Sequence, residues 1–197
     1  MTRVLVIGAN GQIARVATRL FLERGDVELT LFLRRASRLA KLAGQPGVRV
    51  VEGDATDVET LKAVMPGHDA VYANLSGAMA KQAKAMVEAM RSCGVERLVF
   101  ISSMGIYDEV PGQKAGSVLD PYRESAGVVE ASGLDYTILR PAWLDDQDVV
   151  AYGTTRKGEA FRSPGATVSR RSVAELVVHL CVNPGLHRKE SLGVHRA

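Results

Sequence analysis

Three small residues, Gly8-x-x-Gly11-x-x-Ala14, follow directly on the apolar run Val4-Leu5-Val6-Ile7. Glycine at the first position takes a tight turn. Glycine at the second lets a pyrophosphate approach the main chain, and alanine at the third permits close packing of a helix on a strand. The residues between and after them, Ala9, Asn10, Gln12 and Ile13, supply main-chain N–H groups where an amphipathic helix begins, and such a helix start favours anions. Strand, turn and helix stand in the order that a dinucleotide-binding turn requires.

A second segment bears on which dinucleotide. The second apolar run ends in Leu33-Arg34-Arg35-Ala36-Ser37, where a site preferring NAD(H) commonly carries Asp or Glu for the ribose 2'-hydroxyl. Arg34 and Arg35 suit a 2'-phosphate, through charge-assisted and bidentate hydrogen bonds, and Ser37 adds a hydroxyl. The expected cofactor is NADP(H) in preference to NAD(H), the alternative being a solvated basic loop. Further on, Glu52-Gly53-Asp54-Ala55 and Ala73-Asn74-Leu75-Ser76-Gly77 each follow a short apolar run. In a sheet of this type Asp54 lies near the adenine, and Leu75 to Gly77 near the ribose and nicotinamide, although the same residue types also serve turns.

These groups must be carried by something, and the pattern supplies it. Short apolar runs at Val4 to Ile7, Val27 to Leu33, Val48 to Glu52, Ala70 to Ala73, Arg97 to Ile101 and Tyr136 to Leu139 alternate with longer amphipathic segments. That alternation predicts an α/β fold, a doubly wound parallel sheet covered by helices on both faces, with ligands at the C-terminal ends of its strands. Thr56-x-x-Glu59 and Ser172-x-x-Glu175 read as capping boxes, and Asp120-Pro121 as an N-cap with proline at the first helical position. Met79, Ala83, Met86, Val87 and Met90 form a core stripe opposite Lys81, Lys84 and Glu88. The segments Tyr107 to Pro121 and Tyr152 to Gly165 read as the two longest loops, both at the reactive end of the cofactor. Arg170 and Arg171, before the Ser172 cap, read as a solvated surface pair.

With 197 residues, 46% hydrophobic and 24% charged, one α/β domain spanning residues 1–197 is expected, with acceptor-side loops at about 107–121 and 141–170. The net charge of +3 comes from 25 basic residues dispersed among 22 acidic ones, which argues against a nucleic-acid partner. No apolar run approaches the roughly 20 residues of a membrane span and no signal peptide precedes the first strand, so a cytoplasmic protein, monomer or homodimer, is expected. Cys93 and Cys181 read as buried reduced thiols, and His68, His179, His187 and His195 are too scattered for a metal site.

Four segments together resemble the atypical short-chain dehydrogenase/reductases, in particular the compact NAD(P)-binding, NmrA-like group that includes small NAD(P)H-flavin and biliverdin reductases. They are Gly8 to Ala14, Glu52-Gly53-Asp54, Phe100-Ile101-Ser102-Ser103-Met104-Gly105, and Ser132-Gly133-Leu134-Asp135-Tyr136-Thr137-Ile138-Leu139-Arg140-Pro141. The resemblance implies strand order 3-2-1-4-5-6, Asp54 at the adenine, Arg34 and Arg35 at the ribose phosphate, Ser102 beside the cofactor, and Pro141, Ala142 and Trp143 flanking the nicotinamide. In the wider family a serine and a Tyr-x-x-x-Lys pair form the catalytic set. The matching positions here are Ser103 and Tyr122, but the lysine position holds Ala126.

That departure has a chemical meaning. The lysine stabilises the tyrosinate needed as a base, and an unassisted tyrosine, with a pKa of about 10, can donate a proton at pH 7 but is a poor base. Alcohol oxidation and sugar epimerisation are disfavoured, and reduction of a planar conjugated acceptor, a flavin or quinone, by direct hydride transfer is favoured. Ser103 then positions the nicotinamide or acceptor, Tyr107 and Trp143 wall the acceptor pocket, and Tyr122 is an optional proton donor. The alternative is a non-catalytic NADP(H)-binding module that senses redox state or docks on a partner.

Overall fold

The computed structural model describes residues 1–114 and 116–197, so residue 115, inside the expected loop 107–121, lies outside the described residues. The first half of the chain alternates strand and helix except between β2 and β3, which a 3-10 turn joins: β1 (Thr2–Ile7), α1 (Gln12–Arg24), β2 (Val27–Leu33), β3 (Val48–Glu52), α2 (Val58–Val64), β4 (Ala70–Ala73), α3 (Met79–Cys93) and β5 (Arg97–Ile101). Helix α4 (Asp120–Glu130), β6 (Asp135–Pro141), the short β7 (Leu144–Asp145), β8 (Gly153–Arg156), β9 (Val168–Ser169), α5 (Arg170–Val182) and β10 (Glu190–His195) complete it. The main sheet runs β3-β2-β1-β4-β5-β6-β10-β8. Its first six strands have the doubly wound order, β10 adds a parallel seventh, and β8 closes the edge antiparallel to β10.

Each central strand is apolar on both faces because both faces are covered. Val4, Val6, Leu29, Leu31 and Tyr72 pack with α1 and α5 on one side, while Leu5, Ile7, Val71, Phe100 and Ile138 pack with α2, α3 and α4 on the other. Burying side chains of this size contributes about 1.5–3 kcal/mol each before entropy. The register aligns the strand ends: Ile7 sits opposite Phe32 on β2 and Ala73 on β4, and Ala73 opposite Phe100 on β5. The turns that leave β1, β2, β4 and β5 therefore emerge at one edge of the sheet.

Several local expectations are corrected. Helix α2 is capped by Asp57, whose carboxylate accepts from the N–H groups of Glu59 and Thr60, because Thr56 is engaged by Asp54. Helix α5 is capped by Ser169, which accepts from the Ser172 amide, so Arg170 and Arg171 are its first two residues and Ser172 lies inside it. Asp120 is the first residue of α4, whose cap position is Leu119, with Pro121 in the first turn. The segment Tyr152 to Gly165 is not wholly loop, since β8 lies within it. The stripe on α3 is buried as its spacing predicts, with Lys81, Lys84 and Glu88 exposed. No described helix is long and apolar enough to cross a membrane.

Candidate functional site

At the end of β1 the chain turns at Gly8 with a φ of 79°, in the left-handed region where a side chain is strained. A Cβ at Gly8 would overlap the carbonyl oxygen of Asn74, and one at Gly11 would overlap the Asn74 amide group. The turn is held by Gly8 and Ala9, whose N–H groups donate to the Phe32 carbonyl at 3.0 and 3.2 Å, and by the Gly11 N–H donating to Gly8 at 2.9 Å. Helix α1 then begins at Gln12 with no side-chain cap on Gly11. The first-turn amides of Gln12, Ile13 and Ala14 have no acceptor within the helix, which makes this end a seat for an anion.

A cleft of about 460 Å³ opens beside this turn. Its wall brings together Gly8, Asn10, Gly11, Arg34, Arg35, Ala55, Asn74, Leu75 and Ser76 from the residues expected on sequence grounds. Phe32, Leu33, Gly53, Arg38 and Gln82 complete it. Arg38 stands one short 3-10 turn (Ala36–Leu39) beyond Arg34 and Arg35, so three guanidinium groups share the cleft and none hydrogen-bonds a described residue through its side chain. Sequence reasoning passed over Arg38, although its spacing from Arg35 fits one such turn.

Other expected residues sit differently. Ser37 is exposed in the 3-10 turn and Gly77 is exposed beyond Ser76, and neither lines the cleft. Asp54 is also absent from the wall. Its Oδ1 accepts from the Thr56 amide at 2.8 Å and the Thr56 hydroxyl at 2.9 Å. These bonds, with Arg34 nearby, hold its carboxyl below the usual range, as expected for an anion stabilised by donors. In this structure Asp54 is a turn-forming residue. Glu52 accepts from the Ala36 amide at 2.8 Å and so ties the arginine loop to β3.

Beyond β5 lies a second group. The Ser102 amide donates to Leu139 at 2.7 Å, and its hydroxyl oxygen is buried without a hydrogen-bond partner. The Ser103 hydroxyl donates to the Met104 carbonyl at 3.1 Å, and the Met104 amide to Pro141 at 3.2 Å, which pins the post-β5 loop to the end of β6. Tyr122 is half-buried against the core face of α4, and no described residue hydrogen-bonds its hydroxyl. Ala126, one turn on, is fully buried in the same apolar cluster. Ala142 is buried and donates to Val194 at 2.9 Å. Trp143 is 68% exposed, so it is neither buried nor half-buried packing.

Tyr107 lines a second cavity, with Glu109, Val110 and Lys157, rather than the cleft at the glycine turn, and its hydroxyl is engaged. Its hydroxyl donates to Glu130 at 2.7 Å and meets Ser191 at 3.2 Å, and the Lys157 ammonium lies 4.3 Å from its ring centre. Burial, with Glu130 beside it, pushes its pKa well up. The anchor of this region is the buried ion pair between Arg140 and Glu109, with further donation from Arg140 to Ser191 and Thr155. Glu109 also accepts from the amides of Gly105 and Tyr107 at 3.0 and 2.9 Å. One carboxylate thereby fixes the loop from 104 to 109 onto β6, a role no sequence motif announced. Arg170 donates to the Gln12 side chain at 2.9 Å and pairs with Asp146, and Arg171 pairs with Asp148. The two are therefore not merely solvated: they strap the loop after β7 to the start of α5, beside the turn at Gly8 to Gly11.

The comparisons agree with this geometry. Residues 8–184 match the family model described as NAD(P)H-binding. A Rossmann-fold NAD(P)-binding family protein from Shigella flexneri is 39% identical, superposes with a TM-score of 0.87, and the match covers 100% of this chain and 94% of that one. An anaerobilin reductase, ChuY from Escherichia coli O157:H7, has a TM-score of 0.86 at 22% identity over 99% of this chain and 97% of its own. A Bacillus subtilis protein described as an uncharacterized sugar epimerase, YhfK, is 27% identical over 89% of this chain and 86% of its own length.

Proposed function

Because the chain belongs to the NAD(P)H-binding family that residues 8–184 match, we propose that it is an NADPH-dependent reductase passing a hydride to a planar conjugated acceptor of the flavin or quinone type. The residues present fit the cofactor. The cradle at Gly8 and Gly11 has no room for a Cβ, the first-turn amides of α1 suit a pyrophosphate, and the three guanidinium groups of Arg34, Arg35 and Arg38 in the same cleft wall support a ribose 2'-phosphate there. Bound there, the nicotinamide cofactor supplies the hydride, and the protein's part is to bind, align and exclude water.

The observation that carries the reductase reading is the buried Ala126 one turn after Tyr122. Without the lysine of the Tyr-x-x-x-Lys pair, Tyr122 lacks the neighbour that would make it a base toward an alcohol or a sugar carbon. A flavin or quinone takes hydride without an enzymic base and completes its reduction with a solvent proton. In this account Ser102 and Ser103 orient the nicotinamide side, Pro141 and Ala142 shape the floor, and the exposed Trp143 offers a flat apolar face to the acceptor. The printed description of the Bacillus relative favours an epimerase instead, but that reaction needs the base this site lacks.

The test is NADPH consumption by the purified protein with FMN, FAD, menadione and small quinones, run beside UDP-sugars. Acceptor-dependent oxidation with no sugar turnover is expected. Saturable NADPH binding without oxidation by any acceptor would leave the non-catalytic module, and sugar epimerisation would overturn the reading.

A further inference from the structure

One polar side chain on the buried face of α3 carries an acceptor that no described residue satisfies. The buried residues of that helix are Met79, Ala83, Ala85, Met86, Val87, Ala89 and Met90, all apolar, and Gln82. Gln82 is 9% exposed, and its side-chain oxygen is buried without a hydrogen-bond partner. A carboxamide left unsatisfied in such a place costs stability that a leucine would not. Gln82 also lines the wall of the cleft, together with Ala55 and Leu75, both themselves buried. Two apolar residues and one unpaired amide make a slot for a flat heteroaromatic ring with a polar edge.

Accepting the cofactor reading above, on which this rests, we propose that Gln82 recognises the adenine of the dinucleotide. A carboxamide presents an acceptor and a donor side by side, and the adenine edge presents its amino donor beside a ring-nitrogen acceptor, so the two match as a bidentate pair. Asp54, which the family resemblance puts at the adenine, has one carboxylate oxygen engaged by Thr56 and does not line the cleft. Gln82 is thus the polar group that selects an adenine over a base or ring lacking the amino group. The phosphate turn and the arginines hold the rest of the molecule and are indifferent to the base.

The experiment compares NADP+ with its 1,N6-etheno derivative, in which the amino group is built into an extra ring and its donor is lost. For the wild-type protein the etheno compound should bind about tenfold more weakly. Q82A should bind NADP+ about tenfold more weakly than wild type does, and should treat the two nucleotides alike. Undiminished binding of NADP+ by Q82A, or discrimination unchanged in it, overturns the role of Gln82 and leaves the cofactor site standing. Failure of the wild-type protein to bind NADP+ at all overturns both. Should Q82A not fold, the wild-type comparison decides alone: equal affinity for the two nucleotides refutes recognition of the amino edge.

Discussion

Replacing Arg34 and Arg35 together by alanine removes two of the three cations in the cleft wall and should separate the two dinucleotides cleanly. In the free protein both side chains are exposed and hydrogen-bond no described residue, so folding should change by no more than about 0.5 kcal/mol. On the proposed placement of the 2'-phosphate, each guanidinium would form charge-assisted bonds to it, worth about 1.5 kcal/mol apiece at the lower end of the range for such bonds. Together they are worth about 3 kcal/mol, a rise of ~100-fold in the dissociation constant for NADPH. NADH, which lacks the 2'-phosphate, should lose little, within about threefold by the same arithmetic. Fluorescence titration of both nucleotides against wild type and variant reads this directly. The wild-type preference for NADPH should also shrink as salt is raised, because exposed charges are screened. Equal losses for NADH and NADPH would refute the assignment of these arginines to the 2'-phosphate.

Three further outcomes follow from buried groups. Glu109→Ala leaves the fully buried Arg140 charge unpaired, a loss of about 3–5 kcal/mol, and should lower the melting temperature by about 10 °C in a calorimetric scan; an unchanged transition contradicts the anchoring role. Ala126→Lys, which restores the residue missing from the Tyr-x-x-x-Lys pair, puts an ammonium into a fully buried apolar position. It should destabilise the fold without adding dehydrogenase activity, as denaturant titration and alcohol oxidation assays would show. His68 bridges the Met65 carbonyl at 3.0 Å and the Thr30 hydroxyl at 2.9 Å, and burial lowers its pKa below 6.5. The folded state then binds fewer protons than the unfolded one, so this contribution is fully present above about pH 6.5 and is lost as pH falls through the lowered value. His68→Gln should flatten that slope in urea titrations run from pH 7.5 down to 5.

The sheet was readable because its signals are local. The largely apolar runs Val27 to Leu33, Val48 to Glu52, Ala70 to Ala73 and Arg97 to Ile101 coincide with β2 to β5, and the inner ones hold little else because they are covered on both faces. Strands β8 and β10 escaped notice. Gly153-Thr154-Thr155-Arg156 and Glu190 to His195 are mixed in polarity, and they are strands because β10 pairs with the edge of β6 and β8 with the edge that β10 then presents. The helix starts were misjudged by one to three residues where neighbouring hydroxyls compete. Ser169 and Ser172 are both fit to cap, and the position of β9 decides between them. At the site, Gly8, Gly11, Arg34 and Arg35 could be singled out because turn and strand end fix their neighbours, and the structure brings them to one cleft wall. Gln82, Arg38 and the Arg140–Glu109 pair could not, because their meaning depends on which distant segments face them. The Asp54 carboxylate, a candidate for the adenine and for a turn alike, serves the adjacent turn through one of its oxygens.

The proposed function stands on hydride transfer from bound NADPH to a flat acceptor. It is tested most directly in one cuvette, by titrating NADPH to saturation under anaerobic conditions and then adding menadione or FMN. The account predicts saturable binding followed by stoichiometric loss of NADPH absorbance, slower with 4-deuterated NADPH of one stereochemistry. Saturable binding with absorbance that stays constant across the acceptors would contradict it.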